Sequence, residues 1–327
     1  MMNNFDRSYV DFTSRSKISL KQPSSFRSEI LKGLSLKNKK IPCKYLYDEN
    51  GIKIFNEISK LEEYYQTRTE LYILKNYAKE ILSKTNNKNS LIYLGGCSAL
   101  KAEPLLQAGK QIKYYFPVDI SKKHLVKNSK KVAKKYKYMQ VKPVVYDFSE
   151  NVEFPNIVNG KGNILFFPGS TIGNFSEKKA KGLLRSLAKI SNREVDLVIG
   201  IDLKKDKTVL ENAYNDKKGV TEKFTLNLLK RINRELAGNI DTNHFRHVAK
   251  YNEKRGCIEV FIESLKGQSI KISNRKFCIK KSEKIHIEDC YKYDENQFKK
   301  IAALSGWKKI KSWKDPNKNF SVFLLRS

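Results

Sequence analysis

A turn of small residues follows a short apolar run in the N-terminal half of the chain. The segment YLGGCSALK places Gly95, Gly96 and Ser98 directly after a predicted strand. Small residues let a backbone approach a ligand closely, and free amides at the start of a helix attract a carboxylate or phosphate. The spacing differs from the GxGxxG of dinucleotide-binding turns, because Cys97 stands where a glycine would be expected. The turn therefore predicts a ligand site without identifying the ligand.

Acidic residues end the next two predicted strands. Asp119 closes KYYFPVDI, about 20 residues past the glycines, where a carboxylate can accept hydrogen bonds from ribose hydroxyls. The alternative is a helix cap, because Ser121 and a helix follow. Asp147, with Phe148, closes MQVKPVVYDF at the position that usually reads an adenine amino group in such a sheet. Its alternative is simple strand termination.

The segment PGSTIGNF follows the fourth predicted strand. Its glycines, hydroxyls and amide are unsuited to a hydrophobic core but can line a polar ligand site. Asn174 is therefore a candidate substrate contact. The alternative is a tight turn followed by a helix cap at Ser176.

Positive charge dominates the composition, with 65 lysines and arginines against 34 acidic residues and a net charge of +31. Such an excess suits a polyanionic partner, but it also arises when lysines coat exposed helix faces. In SKKHLVKNSKKVAKKYK the apolar or small residues recur at helical spacing: Leu125, Ser129, Val132, Ala133 and Tyr136. This pattern predicts an amphipathic surface helix. No known nucleic-acid module is present, so the sequence does not favour a nucleic-acid partner.

Other ligand chemistries find little support. The five cysteines show no CxxC spacing and the four histidines no metal-ligand spacing, so we expect no metal. No apolar run is long enough to span a membrane, and we expect a cytoplasmic protein. The glutamates of EEYYQTRTE are predicted to lie on an exposed helix face, with Thr67 as the helix cap.

Alternating strands and helices must position these residues. Five apolar runs separated by helical patterns predict a parallel, doubly wound sheet of the α/β class: SLIYLGG, KYYFPVDI, MQVKPVVYDF, NILFFPGS and EVDLVIGIDL. A C-terminal helix leads into KKIKSWKD, a PNKN turn and FSVFLLRS, which predicts a terminal β-hairpin. An insertion of helices followed by strands separates the fifth strand from this ending.

Several motifs together resemble the histidine-specific Nα-methyltransferase family: FPGSTIGNF, KYLYDENG, ISKLEEYYQTRTE and AYNDKKGVTEKFTLNLLKRINREL. The resemblance runs from about residue 27 to the C-terminus. It implies a class I methyltransferase with a Rossmann-like sheet, a terminal hairpin and an inserted α+β substrate domain. It also implies transfer of methyl groups from S-adenosylmethionine to the α-amine of free L-histidine, giving trimethylhistidine (hercynine) in ergothioneine biosynthesis.

The polar, aperiodic start of the chain and the resemblance together imply three segments with different roles. Residues 1–24 would form an N-terminal arm. The substrate domain would comprise residues 25–69 and 204–292, and the donor-binding domain residues 70–203 and 293–327.

The family's contacts carry over to individual residues. Those to the methyl donor fall on Gly95, Lys101, Asp119, Asp147 and Phe148, beside Gly96 and Ser98 from the turn. Those to the substrate fall on Tyr47, Tyr64, Asn174, Tyr214 and Glu288, with Glu288 binding the imidazole. Tyr47 and the loop at Gly169 are the expected groups that orient the amine.

Three positions depart from the family pattern. Cys290 replaces a serine, Val260 replaces a methionine and Cys97 replaces a glycine. The changes leave open a modified histidine, such as a histidine–cysteine sulfoxide, or an aromatic amino acid as substrate. The positive charge leaves open the alternative of an RNA-binding or RNA-methylating protein. Cys97 leaves open the alternative of a degenerate protein that binds the methyl donor without catalysis. We expect a monomer.

Overall fold

The computed structural model describes residues 10–11, 25–96, 98–148, 162–191 and 194–327. Cys97 and most of the predicted arm at 1–24 lie outside the described residues. The described chain divides into two compact units. The first unit comprises 68–204 and 292–327 with the short strand at Val10–Asp11, and the second unit comprises 25–67 and 205–291.

Helices and strands alternate along the described chain. The helices are α1 (Phe26–Leu34), α2 (Glu49–Ile58), α3 (Tyr65–Ser83), α4 (Glu103–Ala108), α5 (Lys122–Lys135), α6 (Glu177–Ala188), α7 (Lys207–Asn212), α8 (Val220–Leu236) and α9 (Glu295–Ala303). The strands are β1 (Val10–Asp11), β2 (Ser90–Leu94), β3 (Tyr114–Asp119), β4 (Gln140–Val141), β5 (Val144–Val145), β6 (Asn163–Phe167), β7 (Val195–Asp202), β8 (Phe245–Asn252), β9 (Cys257–Ser264), β10 (Gln268–Ile272), β11 (Arg275–Ile279), β12 (Lys284–Tyr291), β13 (Lys308–Lys314) and β14 (Phe320–Arg326).

The first unit is built on one twisted sheet, which in the described residues has the order β1-β5-β3-β2-β6-β7-β14-β13 with β4 also beside β3. Strands β2, β3, β5, β6 and β7 run parallel, whereas β14 is antiparallel to both β7 and β13. Every residue of β2, β6 and β7 is buried, as expected for strands covered by helices on both faces. The predicted doubly wound sheet with a terminal hairpin, in the class I methyltransferase arrangement, is confirmed.

The predicted third strand is interrupted. Instead of one strand over MQVKPVVYDF, the chain forms β4 and β5, which both pair with β3. Pro143 lies between them, and proline has no amide hydrogen to donate to the ladder. The lysine-rich helix, in contrast, is as predicted. In α5 the buried residues are Leu125, Ser129, Val132 and Ala133.

The predicted cap at Thr67 is wrong. Helix α3 begins at Tyr65, so Thr67 already lies in its first turn, and both residues are buried. The helix includes the buried Tyr65 and so begins two residues before the predicted cap. None of the helices in the described part of the chain combines the length and apolar character needed to cross a bilayer.

The second unit packs α8 against antiparallel strands. Strands β12, β9 and β8 form a three-stranded sheet, and β10 pairs with β11, a strand that the sequence pattern did not predict. Helix α8 turns one apolar face into the unit's core through Phe224, Leu228 and Ile232. The amphipathic pattern of its sequence explains this orientation.

Asp216 caps the start of α8, and its removal is expected to destabilise the second unit. Its carboxylate accepts hydrogen bonds from the amides of Val220 (2.9 Å) and Thr221 (2.7 Å). Burial alone would raise the pKa of Asp216, but these hydrogen bonds outweigh it and lower the pKa. A depressed pKa in the folded state gives stability that is present above pH of about 4 and lost as pH falls through the folded pKa.

Asp216→Asn replaces one of the two accepting oxygens by a nitrogen that cannot accept, so we expect it to lower the free energy of unfolding by about 1 kcal/mol at pH 7. Urea unfolding at pH 7 and at successively lower pH values measures this difference, which shrinks as acid protonates Asp216 in the parent protein. Glu253→Gln, at an exposed position, is the control. A difference that stays constant with pH would contradict the assignment.

Candidate active site

The glycine turn after β2 is bonded to β3 and leaves open space at one residue. The amides of Gly95 and Gly96 both donate to the carbonyl of Val118 at 2.9 Å. Gly95 has a φ of +79°, and among the described residues no atom lies within 4 Å of where its Cβ would stand. A Cβ on Gly96 would lie only 2.9 Å from the Cβ of Pro117, so packing against β3 accounts for that glycine. Gly95 is thus the position where a ligand can approach the backbone.

The predicted acidic residues lie at neighbouring strand ends. Asp119 is the last residue of β3, and the amide of Tyr146, directly before Asp147, donates to the Asp119 carbonyl at 3.2 Å. One carboxylate oxygen of Asp119 accepts the Ser121 amide at 2.8 Å, although Ser121 rather than Asp119 occupies the cap position of α5. The ring of Phe148 stands edge-on to that of Phe167, with centroids 5.7 Å apart. The carboxyl edge of the sheet therefore gathers these side chains, as the strand order requires.

Glu70 is buried, which corrects the expectation that the glutamates of EEYYQTRTE lie on an exposed face. Its side chain has no exposure to solvent, and one oxygen is 2.8 Å from the ammonium of Lys101. Both oxygens accept the amide of Gly169 at 2.9 Å. A Cβ on Gly200 would lie 2.0 Å from the carboxylate, so a glycine in β7 provides the space. Glu70 can be buried because Gly200, on β7, has no side chain to fill the space. The periodicity of the α3 sequence does not indicate this.

The turn that follows β6 has an unusual backbone. Gly169 has a φ of +80° and Ser170 a φ of +53°, and the Ser170 hydroxyl accepts the amide of Asp202 at 2.9 Å. A short 3₁₀ helix then ends at Asn174, which is half-buried. Ser176 occupies the cap position of α6 without a side-chain capping hydrogen bond. The Ser170 hydroxyl thus ties the turn to β7, and Asn174 lies at the end of the 3₁₀ helix.

Aromatic rings gather the predicted substrate residues of the second unit. The ring of Tyr47 meets those of Phe55 and Phe224 at centroid distances of 5.5 and 5.3 Å. The ring centroids of Phe55 and Tyr64 are 6.0 Å apart, and those of Tyr64 and Tyr214 are 6.5 Å apart. Edge-on ring pairs of this kind fix the orientation of each ring. The structure thus brings Tyr47, Tyr64 and Tyr214 into one cluster from three separate parts of the sequence.

A β-bulge in β12 determines where Glu288 points. His286 pairs with Phe261 and Glu288 with Val260, so Ile287 is an extra residue in the ladder. Without the bulge, Glu288 would lie on the opposite face of the sheet. With it, Glu288 shares a face with Cys290 and Val260, both of which are buried in the core of the second unit.

Cys43 is a site residue that the sequence analysis missed. Loss of hydration, the nearby charge of Glu288 and a hydrogen bond to the Glu288 carboxylate raise the pKa of the Cys43 thiol well above its usual value. Cys43 lies four residues before Tyr47 and directly before the motif KYLYDENG, but nothing in the sequence indicates its contact with Glu288. Loss of hydration and the charge of Glu288 also raise the pKa of Tyr47. Tyr47 therefore stays protonated at neutral pH, a state that suits a hydrogen-bonding group rather than a base.

One cluster in the described residues has metal-like spacing, on the second unit. Ligand atoms of Cys257, Glu259 and Asp289 lie within 4.8 Å of one another. The guanidinium of Arg255 is bonded to Glu259 and lies 2.6 Å from Asp289. The Arg255 guanidinium pairs with both carboxylates, so the cluster is an ion-pair network.

The strand order and the residues at the carboxyl edge of the sheet agree with the family that the sequence matches. Residues 26–327 match the model of a family described as histidine-specific, S-adenosylmethionine-dependent methyltransferases. The chain belongs to this family. It is therefore a methyltransferase of the S-adenosylmethionine-dependent class, and the motif resemblance is confirmed over nearly the whole chain.

The relatives of this methyltransferase are named for different substrates. The chain is 29% identical over 305 residues to a histidine N-alpha-methyltransferase of Mycobacterium tuberculosis, covering 92% of this chain and 94% of that protein. It is 27% identical to ergothioneine biosynthesis protein 1 of Schizosaccharomyces pombe, covering 89% of this chain and 39% of that protein. It is 26% identical to L-tryptophan methyltransferase trpM of Psilocybe serbica, covering 95% of this chain and 96% of that protein. The family thus includes proteins named for two different aromatic-ring amino acids.

The first unit of this methyltransferase has groups suited to its methyl donor. Open space at Gly95 admits the ligand to the backbone, and the Asp119 carboxylate at the end of β3 suits ribose hydroxyls. The side chain of Lys101 is partly exposed, and its ammonium suits a carboxylate. The residues present therefore fit S-adenosylmethionine, whose parts are an adenosine and an amino acid.

Proposed function

We propose that the protein methylates the α-amine of free L-histidine and continues to trimethylhistidine (hercynine). The observation that carries the proposal is the placement of Glu288 on the inner face of β12, beside Val260 and in electrostatic contact with Tyr47. A carboxylate in such a place accepts a hydrogen bond from an imidazole N–H and favours its binding over that of a purely apolar ring.

The proposed donor residues lie in the first unit: Gly95, Gly96, Ser98, Lys101, Asp119, Asp147 and Phe148. S-adenosylmethionine supplies a sulfonium-bound methyl group that is already electrophilic when it binds. The protein's part is to hold the acceptor amine uncharged and in line. We assign Tyr47 and the carbonyl of Gly169 to that task, because the Tyr47 phenol keeps its proton and the Gly169 amide is already bonded to Glu70.

The proposed substrate contacts divide the amino acid between two sets of residues. Asn174, Tyr64 and Tyr214 bind the carboxylate through an amide and two hydroxyls. Glu288 binds the imidazole, with Cys290 and Val260 beside it. The Cys43 thiol donates to Glu288 and orients its carboxylate.

A second substrate class has a specific observation in its favour. A thiol at Cys290 hydrogen-bonds more weakly than a hydroxyl, and Val260 is smaller than the methionine common in the family. Both changes suit a larger or less polar side chain, such as a modified histidine or tryptophan. The retained Glu288 favours histidine as the first candidate.

Methyl transfer from a labelled donor to a panel of free amino acids tests the proposal. We expect kcat/KM to be highest for L-histidine, with tryptophan, phenylalanine and a histidine–cysteine sulfoxide as competitors. Mass spectrometry of the product counts the methyl groups, and three are expected. A stronger reaction with tryptophan would select the second class, and label in RNA would select an RNA methyltransferase. Donor binding without transfer to any amino acid would indicate a degenerate enzyme.

The remaining proposals concern context. We propose a cytoplasmic monomer that needs no metal and binds no nucleic acid, despite its net charge of +31. Retained activity after treatment with a chelator and a monomeric mass in solution are the expected measurements.

A further inference from the structure

Glu70 and Lys101 form an ion pair in the first unit whose two members differ in access to solvent. The Glu70 side chain is fully buried, whereas 18% of the Lys101 side chain is exposed. A second ion pair in the same unit, between Lys292 and Asp202 at 2.9 Å, is closed on both sides, with side-chain exposures of 2% and 0%. Part of the Lys101 side chain is therefore open to solvent, whereas the Lys292 side chain is closed.

A buried carboxylate such as Glu70 is unfavourable unless its neighbours compensate it. Here the compensation comes from the Lys101 ammonium and the Gly169 amide. An apolar pair of similar volume is often as stable as a buried ion pair, so an ion pair at this position suggests a use other than stability. The glycine at Gly200 further shows that space is reserved for this carboxylate.

The ion pair also links two segments that the proposed function assigns to the ligands. Lys101 lies in the loop between β2 and α4, and its long, flexible side chain needs a partner to hold it in one place. A Cβ on Gly169 would lie 3.0 Å from the Lys101 ammonium, so the lysine rests against the left-handed turn after β6. One carboxylate on α3 thus holds both the ammonium and the turn.

We propose that Glu70 is a positioning residue for the methyl donor, holding the Lys101 ammonium where it meets the donor's carboxylate and holding the Gly169 turn beside it. This inference rests on the proposed function, since it takes Lys101 as a donor contact. The only carboxylate of S-adenosylhomocysteine is on its amino-acid tail. Glu70 therefore governs recognition of that tail and not of the adenosine.

Calorimetric binding of two probes tests the proposal without relying on turnover. S-adenosylhomocysteine carries the amino-acid tail, and 5′-methylthioadenosine lacks it. We expect Glu70→Gln to raise the Kd of S-adenosylhomocysteine by about tenfold and to leave the Kd of 5′-methylthioadenosine within about twofold. Glutamine keeps an acceptor for the Gly169 amide and removes the charge that holds Lys101.

A double-mutant cycle with Lys101→Met separates positioning from general stability. In the Lys101→Met background we expect Glu70→Gln to change the Kd of S-adenosylhomocysteine by less than about twofold, because the group it positions is gone. The double variant removes the buried Glu70 charge together with its partner, so neither charge is left unpaired. Glu80→Gln is the matched control, since Glu80 lies on the same helix and binds Trp313 at 2.8 Å.

Three outcomes would overturn the inference. These are an unchanged Kd in Glu70→Gln, an equal loss for both probes, or an equal loss in the Lys101→Met background. If Glu70→Gln is unfolded at the assay temperature, Glu70→Asp takes its place, since it keeps the charge and withdraws it by one methylene. Failure of the unmodified protein to bind S-adenosylhomocysteine would instead reject the proposed function itself, before any variant is compared.

Discussion

Asn174→Ala is expected to raise the KM for histidine by roughly 10- to 100-fold, with little change in donor affinity. The amide lies at the end of the 3₁₀ helix Thr171–Asn174, and among the described residues its side chain makes no hydrogen bond. Its donor is therefore available for the substrate carboxylate. Removing one neutral donor from a charged acceptor costs about 1.5–3 kcal/mol, which corresponds to that range. Initial rates against histidine concentration at saturating donor give the KM.

Two variants control the interpretation. Ser176→Ala, two residues further along, removes a hydroxyl that makes no capping hydrogen bond and is expected to leave the KM unchanged. Tyr64→Phe, which removes one hydroxyl from the aromatic cluster, is expected to raise the KM by a smaller factor. If Asn174→Ala and Tyr64→Phe both behave like the unmodified protein, the carboxylate contacts are wrongly assigned.

Glu288→Ala is expected to lower kcat/KM for histidine by about 100-fold while leaving that for phenylalanine unchanged or higher. The variant removes the acceptor for the imidazole and frees space beside Val260 and Cys290. Phenylalanine, whose ring has no N–H to donate, loses nothing by this change. The ratio of the two kcat/KM values, measured in one competition assay, is the sensitive readout.

The neighbouring residue supplies a control for Glu288. Asp289 lies on the opposite face of β12, where it binds Arg255 at 2.6 Å and His286 at 2.8 Å. Asp289→Asn therefore tests the strand without touching the inner face, and no change in substrate preference is expected. Equal losses for histidine and phenylalanine in Glu288→Ala would point to a structural role for Glu288 and against imidazole recognition.

Local patterns predicted most of the elements. Continuous apolar runs marked the buried parallel strands, and the amphipathic spacing of Leu125 and Val132 marked α5. The predictions failed where contacts with residues distant in the sequence overrode the local pattern. Thr67 has the chemistry of a cap, but burial of Tyr65 moved the start of α3. Strand β11 was missed because its short alternating pattern becomes a strand only by pairing with β10.

The candidate site was predicted unevenly for the same reason. Asp119 and Asp147 are identifiable because parallel strands end at a common edge, whatever packs around them. Cys43 and Glu288 are 245 residues apart (288 − 43), and no feature of either segment announces their contact. Glu70 was assigned to the surface because its helix is amphipathic and glutamate is seldom buried.

The sequence by itself determined the order of strands and helices, the terminal hairpin and the acidic residues at the strand ends. These depend on side-chain period and chain direction, which are local properties. Only the tertiary structure decided which way Glu288 and Glu70 point. A bulge at Ile287 reverses the face of one, and the missing side chain at Gly200 admits the other. The direction of a side chain depends on strand register and on the shape of distant neighbours, and neither is encoded in the adjacent residues.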